Sequence, residues 1–165
     1  MKILFIQTGG TIDKDYDEGA GVYNFEIKDS AVKAIMNQAN PSIKYRTITA
    51  LKKDSQDITD NERLEIVKVC KNAPEHHIVI THGTDTINLT AETLSQHIND
   101  KAIVLTGAAR PEAFAHSDAD FNVGTAVGAL NLADKGVYIA MSGRVLPWDK
   151  IRKDPVTGVF SEIKQ

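Results

Sequence analysis

Two threonines stand in short, glycine-containing polar stretches, and their hydroxyls could serve as nucleophiles. Thr11 closes the stretch TGGT, and Thr84 precedes Asp85 in the stretch THGTDT. A threonine hydroxyl is a weak nucleophile until a neighbouring base takes its proton and hydrogen-bond donors stabilise the oxyanion that forms. The glycines would leave backbone N–H groups free for such an oxyanion, and Tyr16 or Tyr23 could act as the base if nearby charge lowered its pKa. One hypothesis is therefore attack by a threonine on a carbonyl carbon.

The glycines beside Thr11 have two other interpretations, a phosphate-binding loop and a simple turn. A strand followed by glycines can present N–H groups to an anion. However, TGGTID matches neither GxGxxG nor GxxxxGK[ST]. Four carboxylates among residues 13–18 would also repel a phosphate. The sequence therefore does not favour a nucleotide cofactor.

Metal binding has weak support as well. His76 and His77 are adjacent, so on a strand they would point to opposite faces. His82 and Asp85 form only a pair of potential ligands, whereas catalytic zinc usually has three protein ligands. We therefore expect no metal and no cofactor, and we expect His82 to be a core histidine hydrogen-bonded to the backbone.

The elements that must position these groups alternate between strands and helices. Apolar or β-branched stretches typical of strands are KILFIQ, IKYRTITAL, HHIVIT, KAIVLTG and GVYIAMSG. Helical spacing or caps mark residues 30–39, 59–72, 86–98 and 121–133. Ser30 or Asp29 could cap the first helix, and Thr59 opens the second with a capping box. This alternation predicts a three-layer α/β/α sandwich with a mostly parallel sheet.

The strand ends carry polar residues that would meet at one edge of such a sheet. Hydroxyls, glycines or charged groups follow the five strands at residues 8–11, 54–57, 81–86, 106–111 and 142–144. Ligands of open parallel sheets bind outside the carboxyl ends of the strands. We therefore expect one small polar pocket at that edge.

The composition is that of an ordinary globular protein. Hydrophobic residues make up 42% and charged residues 25% of the 165 residues, and the net charge is −3. This negative charge, with scattered Lys and Arg, argues against nucleic acid and membranes as partners. Cys70 is the only cysteine, so no internal disulfide can form, and we expect a small buried thiol. Because the sequence shows no signal-peptide or transmembrane pattern, we expect a cytoplasmic protein.

Four of these stretches together resemble the sequence blocks of the bacterial-type L-asparaginases. TGGTI, SQD, THGTDT and GAARP occur in that family's order and with about its separations. FN at residues 121–122 also resembles the start of the helix after the fourth block. The resemblance runs from Lys2 to about Lys153 and implies an asparaginase N-terminal-domain-like fold with flavodoxin-like topology. It also implies an amidohydrolase that converts L-asparagine to L-aspartate and ammonia.

The resemblance implies catalytic roles for the matching residues. Thr11 would be the nucleophile that attacks the side-chain amide and forms an acyl-enzyme. Thr84, Asp85 and Lys153 would form a second triad, in which the lysine lowers the threonine's barrier to proton loss. Lys153 is placed by the stretch VLPWDKIRK, in which Lys150 is the rival candidate.

The family's catalytic tyrosine lies on a lid after the first block, and two tyrosines here qualify. Tyr23 suits the usual distance from the nucleophile, and Tyr16 would suit a shorter lid. Both therefore stay candidates. The acidic residues 13–18 are expected to form a solvated part of this lid.

The resemblance also implies the contacts to a small amino-acid substrate. Ser55 and Gln56 would hold the α-carboxylate and its surroundings, Asp85 would pair with the α-amino group, and the Ala108 backbone would contact the leaving amide. The expected substrate-binding residues are Gly10, Ser55, Gln56, Gly83 and Ala108.

The resemblance covers only the larger domain of the common family members, and we expect their smaller C-terminal domain to be absent. The sequence resembles a short, single-domain asparaginase-like subgroup, so one domain over residues 1–165 is expected. A layer without its partner domain would bury apolar helix faces between subunits, which predicts a homodimer or homotetramer. The open alternatives are a non-catalytic or weakly active module that binds asparagine or aspartate, and a glutaminase-type amidase. A tRNA-linked amide is disfavoured because no basic surface is apparent.

Overall fold

The computed structural model describes residues 1–16 and 24–163 of the chain. In chain order its strands and helices are β1 (Lys2–Gly9), β2 (Lys14–Tyr16), β3 (Phe25–Ile27), α1 (Val32–Ala39), β4 (Lys44–Lys53), α2 (Asp60–Asn72), β5 (His77–Thr81), α3 (Ile87–His97), β6 (Ala102–Thr106), α4 (Ala119–Ala129), β7 (Gly136–Met141), β8 (Arg144–Pro147), β9 (Ile151–Lys153) and β10 (Phe160–Glu162). Short 3-10 turns also occur at Thr11–Asp13, Ser55–Asp57 and Trp148–Lys150.

The main sheet has six strands in the order β4-β1-β5-β6-β7-β8. The first five pair in parallel, and β8 pairs antiparallel with β7 at the edge. The parallel strands therefore stand in the order second, first, third, fourth, fifth, which is the flavodoxin-like order. This confirms the predicted α/β fold with a mostly parallel sheet.

Helices cover both faces of the sheet and create two apolar cores. On one face α2 and α3 pack over alternate strand residues such as Leu4 and Ile6. On the other face α1 and α4 pack over the intervening residues, such as Ile3 and Phe5. Cys70 lies buried in the first core, as predicted. Among the described residues, no helix is long and apolar enough to cross a membrane.

The helix starts agree with the sequence in one case and differ in another. Thr59 and Glu62 form the predicted capping box at the start of α2. At α1 the prediction is wrong, because neither Ser30 nor Asp29 supplies a side-chain cap. Instead the Asp13 carboxylate accepts the N–H of Ala31 at 2.9 Å.

The expectation of a solvated acidic lid is also wrong at its first residue. Asp13 is 3% exposed, because its carboxylate is held at the buried start of a helix. After Asp13 the chain enters a small antiparallel hairpin, β2–β3, in which Lys14 pairs with Ile27. A second small hairpin, β9–β10, follows the edge strand. These two hairpins lie outside the main sheet and bring Lys14 and Lys153 to its functional edge.

Candidate active site

A cavity of about 640 Å³ lies where the loops after the parallel strands meet. The β2–β3 and β9–β10 hairpins contribute to its wall through Lys14 and Lys153. The predicted site residues that line it are Thr11, Ser55, Gln56, Gly83, Thr84, Asp85, Ala108 and Lys153. A polar cavity at this edge is what the parallel topology predicts.

Thr84, Asp85 and Lys153 form one contact cluster on the cavity wall. Lys153 Nζ donates to Thr84 Oγ1 at 2.9 Å and to Asp85 Oδ1 at 2.6 Å. Gln56 Nε2 donates to the other Asp85 oxygen at 2.8 Å. The hydrogen bonds from Lys153 and Gln56 hold the pKa of Asp85 below its ordinary value. Asp85 is therefore an anion at neutral pH, and it orients the lysine against the threonine hydroxyl.

Close backbone contact explains the glycines beside the two threonines. A Cβ atom on Gly10 would lie 2.4 Å from the Gly83 backbone, and Gly10 has a φ of 84°, in the region that favours glycine. A Cβ atom on Gly83 would lie 2.8 Å from the Ser55 side chain. The loops that follow β1, β4 and β5 are therefore stacked directly on one another, and this brings the residues after them together.

Thr11 starts the 3-10 turn that directly follows Gly10. It is half-buried on the cavity wall, and its carbonyl accepts the backbone N–H of Lys14. The first N–H groups of a helical turn have no partner within the turn. Backbone donors that could hold an oxyanion are therefore available at the start of this turn, where Thr11 lies.

The loop around Ala108 is fixed from both sides. The Asp118 carboxylate accepts the N–H groups of the two residues after Ala108, each at 3.0 Å. Asn122 Nδ2 donates to Asp118 at 2.8 Å and to the carbonyl of Gly107 at 2.9 Å. Ala108 and Asp118 both line the cavity. The two side chains from the start of α4 therefore set the orientation of the Ala108 backbone.

His82 lies in the core behind the cavity, as the sequence predicts. Its Nδ1 is 2.8 Å from the carbonyl of Gly83, and its Nε2 is 2.8 Å from Thr90 Oγ1. Burial lowers the pKa of His82 to about 4. The ring is therefore neutral near pH 7, donating to Gly83 and accepting from Thr90. Among the described residues, no group of three or more His, Cys, Asp or Glu side chains is placed to hold a metal ion.

Residues 2–159 match the family described as asparaginase, N-terminal. The chain belongs to the asparaginase family. It is 31% identical over 160 residues to a glutaminase-asparaginase of Acinetobacter glutaminasificans, covering 87% of this chain and 46% of that protein. It is 33% identical over 169 residues to L-asparaginase 2 of Escherichia coli, covering 95% of this chain and 47% of that protein.

A solved structure of an asparaginase has the same fold. The thermostable L-asparaginase from Thermococcus kodakarensis superimposes with a TM-score of 0.87 at 28% identity, over 99% of this chain and 51% of that chain. This asparaginase-family chain therefore spans about half of the length of these three proteins.

The two tyrosines and the two lysines that the asparaginase resemblance left open differ in their placement. Tyr16 does not line the cavity; it is 40% exposed, and its ring packs against Phe25 and Phe114 at centroid distances of 4.6 and 5.4 Å. Tyr23 lies outside the described residues. Lys150 pairs with the neighbouring Asp149 at 3.6 Å, whereas Lys153 reaches Thr84. The assignment of a catalytic tyrosine stays a prediction.

Sequence reasoning gave no individual role to four described charged residues that line the cavity of this asparaginase-family chain, namely Lys14, Asp54, Asp57 and Asp118. Lys14 and Asp54 form an ion pair at 2.7 Å, and Asp118 holds the Ala108 loop. Asp54 belongs to the polar strand-end residues, but its position alone indicates no role. Lys14 and Asp118 lie in segments without periodicity, so only their nearness to Thr11 and Ala108 in the chain could have indicated them.

Proposed function

We propose that this chain hydrolyses the side-chain amide of L-asparagine to L-aspartate and ammonia. The observation that carries the proposal is the contact of Lys153 Nζ with Thr84 Oγ1 and Asp85 Oδ1, on the wall of a cavity that Thr11 also lines. Two hydroxyls with an ammonium and a carboxylate supply a nucleophile, a proton-transfer group and the charges that orient them. Membership of the asparaginase family supports an amidase-type reaction.

In the proposed first step, Thr11 Oγ1 attacks the carbon of the side-chain amide. The hydroxyl proton leaves Thr11 and is delivered to the amide nitrogen. The C–N bond then breaks, ammonia departs, and an ester joins Thr11 to the aspartyl group. Backbone N–H groups at the turn after Gly10 would stabilise the oxyanion of the tetrahedral intermediate.

In the proposed second step, water attacks the ester carbon and releases aspartate. The proton lost by the water returns to Thr11. The ammonium of Lys153 donates to Thr84 Oγ1, which lowers the cost of placing negative charge on that oxygen. Thr84 can therefore relay protons without changing its charge, because it releases its own hydroxyl proton toward the leaving oxygen of Thr11 as it takes a proton from the attacking water. Asp85 keeps the lysine in position.

The proposed substrate pose uses the charges of the site. Asp85 accepts hydrogen bonds from Lys153 and Gln56, and its carboxylate has further lone pairs that could accept from an α-amino group. Ser55 and Gln56 are the proposed contacts of the α-carboxylate end. Ala108, whose backbone orientation Asp118 fixes, is the proposed contact of the leaving amide.

The base that takes the proton of Thr11 is proposed to be Tyr16 or Tyr23. Replacing each by phenylalanine distinguishes them. Loss of the phenol of the acting tyrosine is expected to slow ammonia release by about 10²-fold or more, the scale of a positioned proton transfer. The other replacement is expected to leave the rate within about threefold of wild type. Rates within about threefold of wild type for both variants would exclude both tyrosines.

Ammonia release from L-asparagine by the purified chain tests the proposed function. Thr11→Ala, Thr84→Val and Lys153→Met are each expected to lower the rate by about 10²-fold or more. Lys150→Met is the matched control, because Lys150 is three residues away and pairs with Asp149 outside the cavity. Ammonia release that is the same for wild type and the threonine variants would refute the proposal.

A glutaminase-type reaction is the second candidate, and the likeness to a glutaminase-asparaginase favours including it. The same assay with L-glutamine measures the preference. If calorimetry shows that L-aspartate binds while neither amide releases ammonia, the chain is a binding module and the proposed hydrolysis fails.

We further propose self-association through the outer face of α4. This helix carries one charged residue, Asp120, and open space lies next to Gly124 and Gly128. Phe121 at one end is 62% exposed, and Leu132 just beyond the other end is 92% exposed. Light scattering at micromolar concentration is expected to show a dimer or tetramer that Leu132→Lys dissociates. A monomeric wild type would refute the proposal.

A further inference from the structure

Lys14 is held next to the proposed nucleophile by the backbone. Its N–H donates to the carbonyl of Thr11 and closes the turn that Thr11 opens. The residue is also the first of β2, where it pairs with Ile27. These backbone contacts fix the origin of the Lys14 side chain relative to Thr11. The side chain then lines the same cavity.

The ammonium of Lys14 reaches the part of the cavity where Ser55 and Gln56 lie. Lys14 Nζ is 2.7 Å from Oδ1 of Asp54, which directly precedes Ser55 in the chain. The Lys14 side chain is 23% exposed, so its charge is only partly screened by water. An ammonium has three N–H donors, and one contact with Asp54 leaves donors for a further anion.

Lys14 is the lysine of the described cavity wall that is best placed to bind an anionic group of a ligand. Among residues 1–16 and 24–163, four carboxylates line the cavity, at Asp54, Asp57, Asp85 and Asp118. Lys153 is already in contact with Asp85 and Thr84. A ligand carboxylate would be repelled by the acidic wall unless a cation lay beside it. Lys14 meets that need next to the Ser55–Asp57 turn.

We infer that Lys14 determines specificity by binding the α-carboxylate of the amino-acid substrate, together with Ser55 and Gln56. The inference rests on the proposed function for the identity of the substrate. Asp54 is the partner of the Lys14 ammonium, and a bound substrate would place its α-carboxylate against the same ammonium. Lys14 therefore selects amides of free α-amino acids over amides whose α-carboxylate is blocked.

Calorimetry with a pair of probes tests this inference without requiring turnover. L-aspartate carries the α-carboxylate, and isoasparagine, the α-amide of L-aspartic acid, lacks that charge but keeps the rest of the molecule. Wild type is expected to bind L-aspartate more tightly than isoasparagine. In Lys14→Met, the ratio of the two affinities is expected to fall roughly tenfold or more, the scale of a charge-assisted hydrogen bond. Lys14→Arg, which keeps the charge, is expected to retain most of the ratio.

The controls separate recognition from folding and from catalysis. Lys68→Met removes an exposed lysine that pairs with Glu65 on α2 and does not line the cavity, and it is expected to leave both affinities unchanged. If Lys14→Met leaves the ratio of the two affinities unchanged, even while both probes bind more weakly, Lys14 only supports the β2–β3 hairpin. The inference is then overturned. Wild type that fails to bind L-aspartate at millimolar concentration also overturns it. Ammonia release is measured separately, so binding without hydrolysis refutes the proposed function and leaves the inference standing.

Discussion

Replacing Asp13 by asparagine is expected to stabilise the protein above about pH 6 while changing little near pH 4. Asp13 is 3% exposed, and its Oδ1 accepts the N–H of Ala31. Its Oδ2 has no hydrogen-bond partner among the described residues. Burial raises the pKa of Asp13 to about 6, although the Ala31 N–H partly opposes that rise. The carboxylate is therefore poorly accommodated in its charged form.

The size and sign of the effect follow from the two pKa values of Asp13. The unfolded value is 3.8 and the folded value is about 6, a difference of about two units. One unit corresponds to about 1.4 kcal/mol, so the difference amounts to about 3 kcal/mol. Because the folded state binds the proton more tightly, this contribution to stability is fully present below about pH 4. It decreases as the pH rises and is lost above about pH 6.

Urea unfolding of wild type and Asp13→Asn between pH 4 and pH 8 measures this effect. The neutral asparagine keeps an oxygen for the Ala31 N–H, so its unfolding free energy should exceed that of wild type by up to about 3 kcal/mol at pH 8. Asp29→Asn is the control. Asp29 is exposed and Lys52 holds its pKa below the ordinary value, so its replacement is expected not to stabilise the protein as the pH rises. A difference between Asp13→Asn and wild type that is the same at all pH values would refute the reasoning.

Three further replacements test other contacts. Gly10→Ala is expected to lower the melting temperature and abolish ammonia release, because its Cβ would lie 2.4 Å from the Gly83 backbone and its φ is 84°. Asp118→Ala removes the carboxylate that holds the Ala108 loop and is expected to lower kcat/KM by up to about 10²-fold, while the melting temperature changes by only a few degrees. A change in melting temperature without a change in kcat/KM would contradict the positioning role of Asp118. Thr59→Ala removes the capping box of α2 and is expected to lower the unfolding free energy by about 1 kcal/mol, while the rate of ammonia release stays unchanged. An altered rate would show that this cap affects the site.

The parts of the fold predicted from sequence are those set by local patterns. The five parallel strands of the main sheet and the four helices have apolar stretches or caps that are visible over five or more residues, and their alternation restricts the topology; the four-residue edge strand β8 was not predicted. The capping box at Thr59 is also local, since both partners lie within four residues. The parallel topology then places the strand-end loops together, so the cavity could be predicted without any contact being known.

The parts that were missed depend on contacts between distant segments. Asp13 accepts the N–H of Ala31, 18 residues later and just before α1, and nothing in the stretch TGGTID indicates that its acidic residue is buried. The hairpin strands β2, β3, β9 and β10 have three residues each, too few to show a period. Lys14 and Asp54 are 40 positions apart and meet only because β1 and β4 are neighbours. Long-range ion pairs of this kind leave no signal in one sequence.

The long separation in sequence between Lys153 and Thr84 predicts that the site forms late in folding. Lys153 contacts Thr84 across 69 residues, and its strand β9 is held by β10, whose Phe160 is buried in the core. Contacts between distant residues form slowly because the intervening chain must first be ordered. Refolding should therefore restore secondary structure before ammonia release. The enzymatic assay would then measure the completion of the whole fold, whereas circular dichroism would measure only its helices and strands.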